Sequence, residues 1–136
     1  MTLDAIIRWF ESLTPESVTR TGDVYVADAY FKDPFNEVHG VAAIQRIYAH
    51  MFEQVTEPRF RVTARWQGEA GVMLAWDFVF RRGAREQVIR GVSHLLLAPD
   101  GRITSHRDYW DAASELYETV PVLGALMRLI RRRLAA

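Results

Sequence analysis

The spacing of apolar residues changes partway along the chain. Leu3, Ile6, Ile7, Phe10 and Leu13 recur at intervals of three and four, one face of a helix, with Thr2 available as N-cap. Thr14-Pro15-Glu16 predicts a second helix, because proline fits the first helical position and threonine can cap it. Gly22 is expected to loosen or end that helix. Ala29 to Asp33 is short, aromatic and followed by Pro34, which favours extended backbone at Asp33. After Gly40, the residues Val41, Ile44, Ile47, Tyr48, Met51 and Val55 mark a third helical face, and Pro58 is expected to stop it.

From there the period shortens to two. Phe60, Val62, Ala64 and Trp66 alternate with Arg59, Arg61, Thr63 and Arg65, which predicts a strand with one buried and one wet face. Gly68 to Gly71 turns the chain into a second strand over 72–81, where Trp76, Phe78 and Phe80 share a face. Beyond the Arg82-Gly83 turn, residues 86–97 read as a long strand in which Gly91 marks a bulge or a close backbone contact. Pro99-Asp100-Gly101 signals a turn into a last strand over 102–110. Asp111 can cap a short helix, and Pro121 starts another that ends among arginines. Helices followed by a four-stranded meander predict an α+β fold. A curved antiparallel sheet would close as a cone around N-terminal helices, with an extra C-terminal helix.

Composition narrows the function classes. The 136 residues, 49% of them hydrophobic, suit one domain with one core. The absence of cysteine excludes a disulfide scaffold, a thiolate zinc site and a thiol nucleophile. No apolar run approaches the ~20 residues of a membrane span, and MTLDAIIRWF lacks a signal peptide's charged-then-apolar order, so a cytoplasmic location is expected. Basic and acidic residues number 17 each. Arg128, Arg131, Arg132 and Arg133 fall together where there is no acid, which leaves the remaining residues at a net −4. A negative body is a poor match for phosphate backbones, and no nucleic-acid partner is expected. Val122, Leu123, Leu126, Met127, Ile130 and Leu134 make the arginine-rich segment a basic amphipathic helix. It is expected to pack on the body, complementing the body's charge and its own C-terminal dipole, rather than to meet a membrane.

Residues 28–52, DAYFKDPFNEVHGVAAIQRIYAHMF, and 99–112, PDGRITSHRDYWDA, resemble the nuclear transport factor 2-like superfamily, and within it the SnoaL-like and ketosteroid isomerase-like branch. The resemblance runs to about Tyr117, making 1–117 the SnoaL-like domain and 118–136 a helix appended to it. It implies a cystatin-like cone, and its members include isomerases, cyclases, dehydratases, hydrolases and non-catalytic binders. By resemblance, Asp33 of Asp33-Pro34-Phe35 occupies the place of the isomerase's catalytic aspartate, and Tyr48 that of its supporting tyrosine. Trp9 and Ser93 stand where the isomerase has its oxyanion tyrosine and protonated aspartate. With both members of that pair replaced, the resemblance carries the fold and not steroid isomerisation. It also implies a homodimer through the outer sheet face.

Two groups carry candidate chemistry. Asp33, between Phe31 and Phe35, reads either as a proton-transfer carboxylate at the mouth of an apolar pocket or as the cap of an Asp-Pro turn. His106, Asp108 and Trp110 share one face of the last strand, with His106 and Asp108 about 7 Å apart at Cα. If Trp110 points inward, both line the cone, and Arg107 and Tyr109 face out; SnoaL-like cyclases resemble this in using an aspartate on a strand. His106-x-Asp108 lacks a following histidine, and His94 has the opposite parity to Ser93, so no metal is expected. No Gly-rich phosphate loop supports a nucleotide cofactor. The candidate catalytic set is therefore Asp33, His106, Asp108 and Tyr48. The candidate ligand contacts are Trp9, Phe35, Met51, Phe52, Trp76, Phe78, Ser93 and Trp110, an aromatic inventory that plain core packing would also explain. Two functions stand open: a cofactor-independent acid–base enzyme acting on a small apolar molecule, of isomerase, cyclase, dehydratase or epoxide hydrolase type, or a non-catalytic ligand-binding or dimerisation module.

Overall fold

Thr2 begins the first helix, its hydroxyl accepting from the Ala5 amide at 3.1 Å. The computed structural model describes residues 1–115 and 121–135. Helix α1 (Leu3–Glu11) buries Ile6 and Phe10 and ends before Leu13, which still packs against the core from the following loop. Helix α2 (Pro15–Val18) is a single turn closed by a reciprocal capping box between Thr14 and Ser17. A 3-10 turn (Thr21–Asp23) then delivers strand β1 (Tyr25–Lys32), which starts well before the segment the aromatic run predicts. A tight turn joins it to β2 (Glu37–His39), a strand with no signal of its own in the sequence. Helix α3 (Val41–Gln54) buries Ile44 and Tyr48. It ends before Val55, which is already extended, so Pro58 does not stop it. Pro58 lies instead inside β3 (Thr56–Gly68), an edge strand, where a missing N–H is tolerated.

Strands β4 (Gly71–Arg82), β5 (Arg85–Leu97) and β6 (Ile103–Trp110) continue the antiparallel meander. The sheet has six strands rather than four, in the order β2-β1-β6-β5-β4-β3. The first long strand lies parallel to the last, with Phe31 opposite His106 and Lys32 opposite Arg107. This pairing is what brings β1 into the site. The helices cover one face of the curved sheet and enclose a core that includes Ile6, Tyr25, Ile44, Leu74, Leu95 and Ile103.

Two local features shape the concave face. Val62 pairs with Trp76 but Ala64 pairs with Ala75, so a bulge between them reverses the facing of β3. Phe60 and Val62 face the core as their alternation predicts, whereas Trp66, opposite Met73, turns to the outer face and is 57% exposed. Gly91 sits in unbroken register opposite Trp76, and a Cβ there would come within 2.4 Å of the indole ring. Its role is close approach, not a bulge.

Past β6, Asp111 accepts from the Ser114 amide at 3.0 Å and caps α4 (Ala112–Glu115). Helix α5 (Pro121–Leu134) follows. Contrary to the expectation that it packs on the body, Leu126, Leu129, Ile130 and Leu134 are exposed.

Candidate active site

Strand β6 alternates as its sequence predicts. His106 is buried and Asp108 half-buried on the concave side, while Arg107 and Tyr109 face out, the guanidinium stacked 4.8 Å above the Tyr109 ring. Neighbouring strands add Ser93, opposite Asp108, and Trp76. Phe10 of α1, Tyr48 of α3 and the bulged edge strand's Phe60 and Val62 complete a cavity of about 20 Å³. That is room for about one water molecule.

A continuous hydrogen-bonded chain lies along this cavity. Trp76 Nε1 donates to Ser93 Oγ at 2.8 Å, and Ser93 Oγ donates to Asp108 Oδ1 at 2.5 Å. His106 Nε2 is 2.6 Å from the same oxygen. On the other side of the ring, His106 Nδ1 is 2.7 Å from the Tyr25 hydroxyl, which is 2.8 Å from that of Tyr48. Burial holds both phenols well above the ordinary tyrosine range, reinforced at Tyr25 by Tyr48 and Asp108 and at Tyr48 by Asp108 against the opposing hydrogen bond of Tyr25, so they stay protonated.

Proton counting fixes the polarity of the chain. With Asp108 ionised and the imidazole neutral, Nε2 carries the proton and Nδ1 accepts from Tyr25, which in turn accepts from Tyr48. A proton taken up by the imidazole reverses the second half. Nδ1 then donates to Tyr25, Tyr25 donates to Tyr48, and the Tyr48 proton is released toward the cavity. Asp108 Oδ2, meanwhile, receives no hydrogen bond from the described residues. The site therefore offers a carboxylate oxygen and a phenol whose availability as donor is tied to the state of His106.

The SnoaL-like domain model matches residues 6–106. The chain belongs to the SnoaL-like family. No curated protein sequence matches it. Solved structures resemble this SnoaL-like domain at the level of fold. A hypothetical protein with a ketosteroid isomerase-like fold from Catenulispora acidiphila DSM 44928, in complex with trimethylamine, superposes with a TM-score of 0.71 at 16% identity, covering 85% of this chain and 92% of its own. A nuclear transport factor 2-like protein of unknown function from Exiguobacterium sp. 255-15 gives 0.69 at 16% identity, with 82% and 98% covered. A SnoaL-like family protein from Agrobacterium tumefaciens str. C58 gives 0.66 at 14% identity, with 79% and 92% covered.

In this SnoaL-like domain the residues picked from sequence separate into two groups. His106, Asp108, Tyr48, Trp76 and Ser93 line the cavity together. Asp33 does not. Its Oδ1 accepts from the amides of Phe35 and Asn36 at 2.8 and 2.7 Å, and the Asn36 side chain donates to both its oxygens at 3.1 Å. The carboxylate closes the β1–β2 turn, the alternative that Asp-Pro allows. Phe35 and Trp110 lie off the cavity and pack edge to face on each other at 5.5 Å. Met51 and Phe52 flank the core, and Phe78 stacks between Phe60 and Phe80 behind the cavity wall. Trp9 packs edge-on against Phe10, Tyr25 and Tyr48 and supports the tyrosine pair from behind. Its buried Nε1 has no partner among the described residues.

The sequence reading misses Tyr25, the link between His106 and Tyr48. Its signal is the odd-numbered series Tyr25, Ala29 and Phe31, all buried on one side of β1. Phe10 and the β3 pair Phe60 and Val62 are visible as apolar positions but not as cavity walls. His94 points the other way and bonds the Ala70 carbonyl at 2.8 Å. Among the described residues, no group of three or more His, Asp or Glu side chains is placed to hold a metal ion.

Proposed function

We propose that the domain binds a small, largely apolar molecule and transfers a proton on it without a cofactor, as an isomerase, cyclase, dehydratase or epoxide hydrolase does. One observation carries the proposal: the His106–Asp108 pair, at 2.6 Å, borders an aromatic cavity, and the second Asp108 oxygen accepts no hydrogen bond among the described residues. Asp108 Oδ2 takes the proton from a carbon or a water in the cavity. The Ser93 hydroxyl and His106 Nε2 hold Oδ1 and fix the carboxylate's orientation. Where the imidazole of His106 carries both its protons before the reaction, the chain through Tyr25 runs from Nδ1 to Tyr48, and Tyr48 donates to a developing oxyanion. The edge strand is the wall that yields to admit a ligand, since β3 is hydrogen-bonded to the sheet on one side only. Glu11 holds its Val62 amide at 3.0 Å and limits that movement.

A panel of enolisable ketones and epoxides in D2O, followed by NMR for deuterium incorporation or ring opening, tests the reading. Asp108→Asn should lower the rate about a hundredfold or more, with binding of the same compound retained and chelator without effect. Unchanged turnover in that variant would remove Asp108 as the base. The cavity of about 20 Å³ favours the second reading, a binding module with satisfied polar groups. That reading predicts binding of panel members without exchange.

The outer sheet face supports a proposal of self-association. Ladder pairing sets Ala64, Ala75, Val92 and Tyr109 in one row, and Trp66, Met73, His94 and Arg107 in the next. Trp66, Leu96 and Tyr109 are exposed there. An apolar band across four strands is closed most simply by a second copy related by a two-fold axis, and nuclear transport factor 2-like domains often dimerise.

A further inference from the structure

His106 and Asp108 titrate as one unit. Nε2 and Oδ1 are 2.6 Å apart, so a proton between them belongs to the pair rather than to either group. When the pair lacks an extra proton, the carboxylate is ionised and Nε2 must hold the imidazole's one hydrogen. The other tautomer would set a nitrogen lone pair against an anionic oxygen. Nδ1 is then bare and accepts from Tyr25. With one more proton on the pair, Nδ1 carries hydrogen in both possible arrangements: imidazolium beside carboxylate, or neutral ring accepting at Nε2 from a protonated Asp108. Only the first supplies an ionised Oδ2 together with a Tyr48 hydroxyl free to donate into the cavity. The rest of the ring's surroundings are apolar. Phe31 of β1 packs on it at 4.8 Å, Phe10 of α1 at 5.6 Å, and Leu95 stands opposite on β5. Among the described residues, the titratable groups that bear on it are Asp108, Tyr25 and Tyr48, with Asp33 acting on Tyr48.

We propose that Tyr25 is a positioning residue: its hydroxyl lets Tyr48 donate to a ligand only while the His106–Asp108 pair holds its extra proton. Tyr25 is fully buried, so its hydroxyl has no solvent to turn to. Its two neighbours lie at 2.7 and 2.8 Å, and one hydrogen serves one of them at a time. Donation to Nδ1 obliges Tyr48 to fill the vacated lone pair, which turns the Tyr48 hydrogen away from the cavity. Donation to Tyr48 releases it. Asp108, at 16% exposure, gives the otherwise sealed pair its route for proton exchange. The effect on turnover rests on the acid–base reading; the coupling of the two rings does not.

The test is NMR of the full chain labelled with 13Cζ-tyrosine and 15N-histidine, titrated about two pH units to either side of the ordinary histidine value. The Tyr25 and Tyr48 carbons should both move at the midpoint reported by the His106 nitrogens. In Tyr25→Phe, which removes only the hydroxyl, His106 should still titrate and Tyr48 should no longer follow. A Tyr25 or Tyr48 signal that stays still in the parent overturns the proposal, and that measurement needs no substitution. A Tyr48 signal that still follows His106 in the variant also overturns it, since the field of the imidazolium alone would then move it. So does an imidazole that takes up no proton over the range. For any panel ketone the parent turns over, the rate should fall about tenfold above the midpoint, the worth of one hydrogen bond. Tyr25→Phe should hold its rate through that midpoint. A parent rate without that fall removes Tyr25 from the reaction, whereas coupled resonances with no turnover of the panel uphold the coupling and count against the acid–base reading.

Discussion

Tyr25 contributes a single hydroxyl, yet that hydroxyl joins β1 to both β6 and α3 through His106 and Tyr48. Its burial has a consequence in alkali. The unfolded chain releases tyrosine protons through about pH 10, whereas Tyr25 and Tyr48 in the fold release theirs well above it. The stability from these raised groups is complete below about pH 10 and is lost as pH climbs through it. For two groups the limiting slope is about 2.7 kcal/mol per pH unit. Urea midpoints between about pH 9 and 11 should therefore fall steeply, and Tyr25→Phe should flatten the fall. An unchanged slope in that variant would contradict the burial of its ionisable hydroxyl. Residues of this kind divide sharply in legibility. His106 and Asp108 follow from alternation on a strand with obvious ends. Tyr25 does not, because its strand pairs with a partner distant in sequence. Asp33 shows the converse: Asp-Pro-Phe-Asn carries turn chemistry in plain view, and the fold uses the carboxylate for that turn.

At the scale of elements, β4 and β5 are locked where Trp76 crosses Gly91. The indole is held by Ser93 at 2.8 Å and by Phe60 edge to face at 5.5 Å, so it has no free rotamer into which to retreat. Gly91→Ala should destabilise the fold by about 1–2 kcal/mol, the overpacking cost outweighing the smaller gain from a stiffer unfolded chain. It should also displace Ser93 from Asp108. Chemical denaturation gives the first quantity, and the chemical shift of the Trp76 indole proton reports the second; a stabilised variant with that resonance unmoved would refute the close-approach role. The elements themselves are legible in the sequence, down to the caps at Thr2, Thr14 and Asp111. The bulge after Val62 is not. Arg61-Val62-Thr63-Ala64 alternates without interruption, and only the pairing with β4 reveals that Trp66 has changed sides.

For the whole molecule, the proposed self-association makes a simple demand on mass. Light scattering at micromolar concentration should return twice the 15.7 kDa of one chain. Trp66→Glu, which sets a charge in the middle of the apolar band, should return one. A parent that is monomeric throughout would show that the outer face is left to solvent. The α+β class, the curved sheet and the SnoaL-like family are all legible in the chain's periodicity and motifs. The six-strand order is not, because β2 is three residues long and the β1–β6 pairing has no local signature.

That parallel pairing also orders events in time. Strands β3 to β6 meet their neighbours across short turns, so the meander can assemble early from local contacts. Residues 31 and 106 must find each other across more than half of the chain, with the closure entropy that such a loop costs. Trp76, Ser93, His106 and Asp108 of the hydrogen-bonded chain come from the meander, and Tyr25 and Tyr48 come from β1 and α3. During refolding, Ser93, His106 and Asp108 are therefore expected in place first, with the tyrosines joining them when the two distant strands dock. Changes in β1, such as Phe31→Leu, should then act mainly on the rate of unfolding, while changes in the β4–β5 pair slow folding itself.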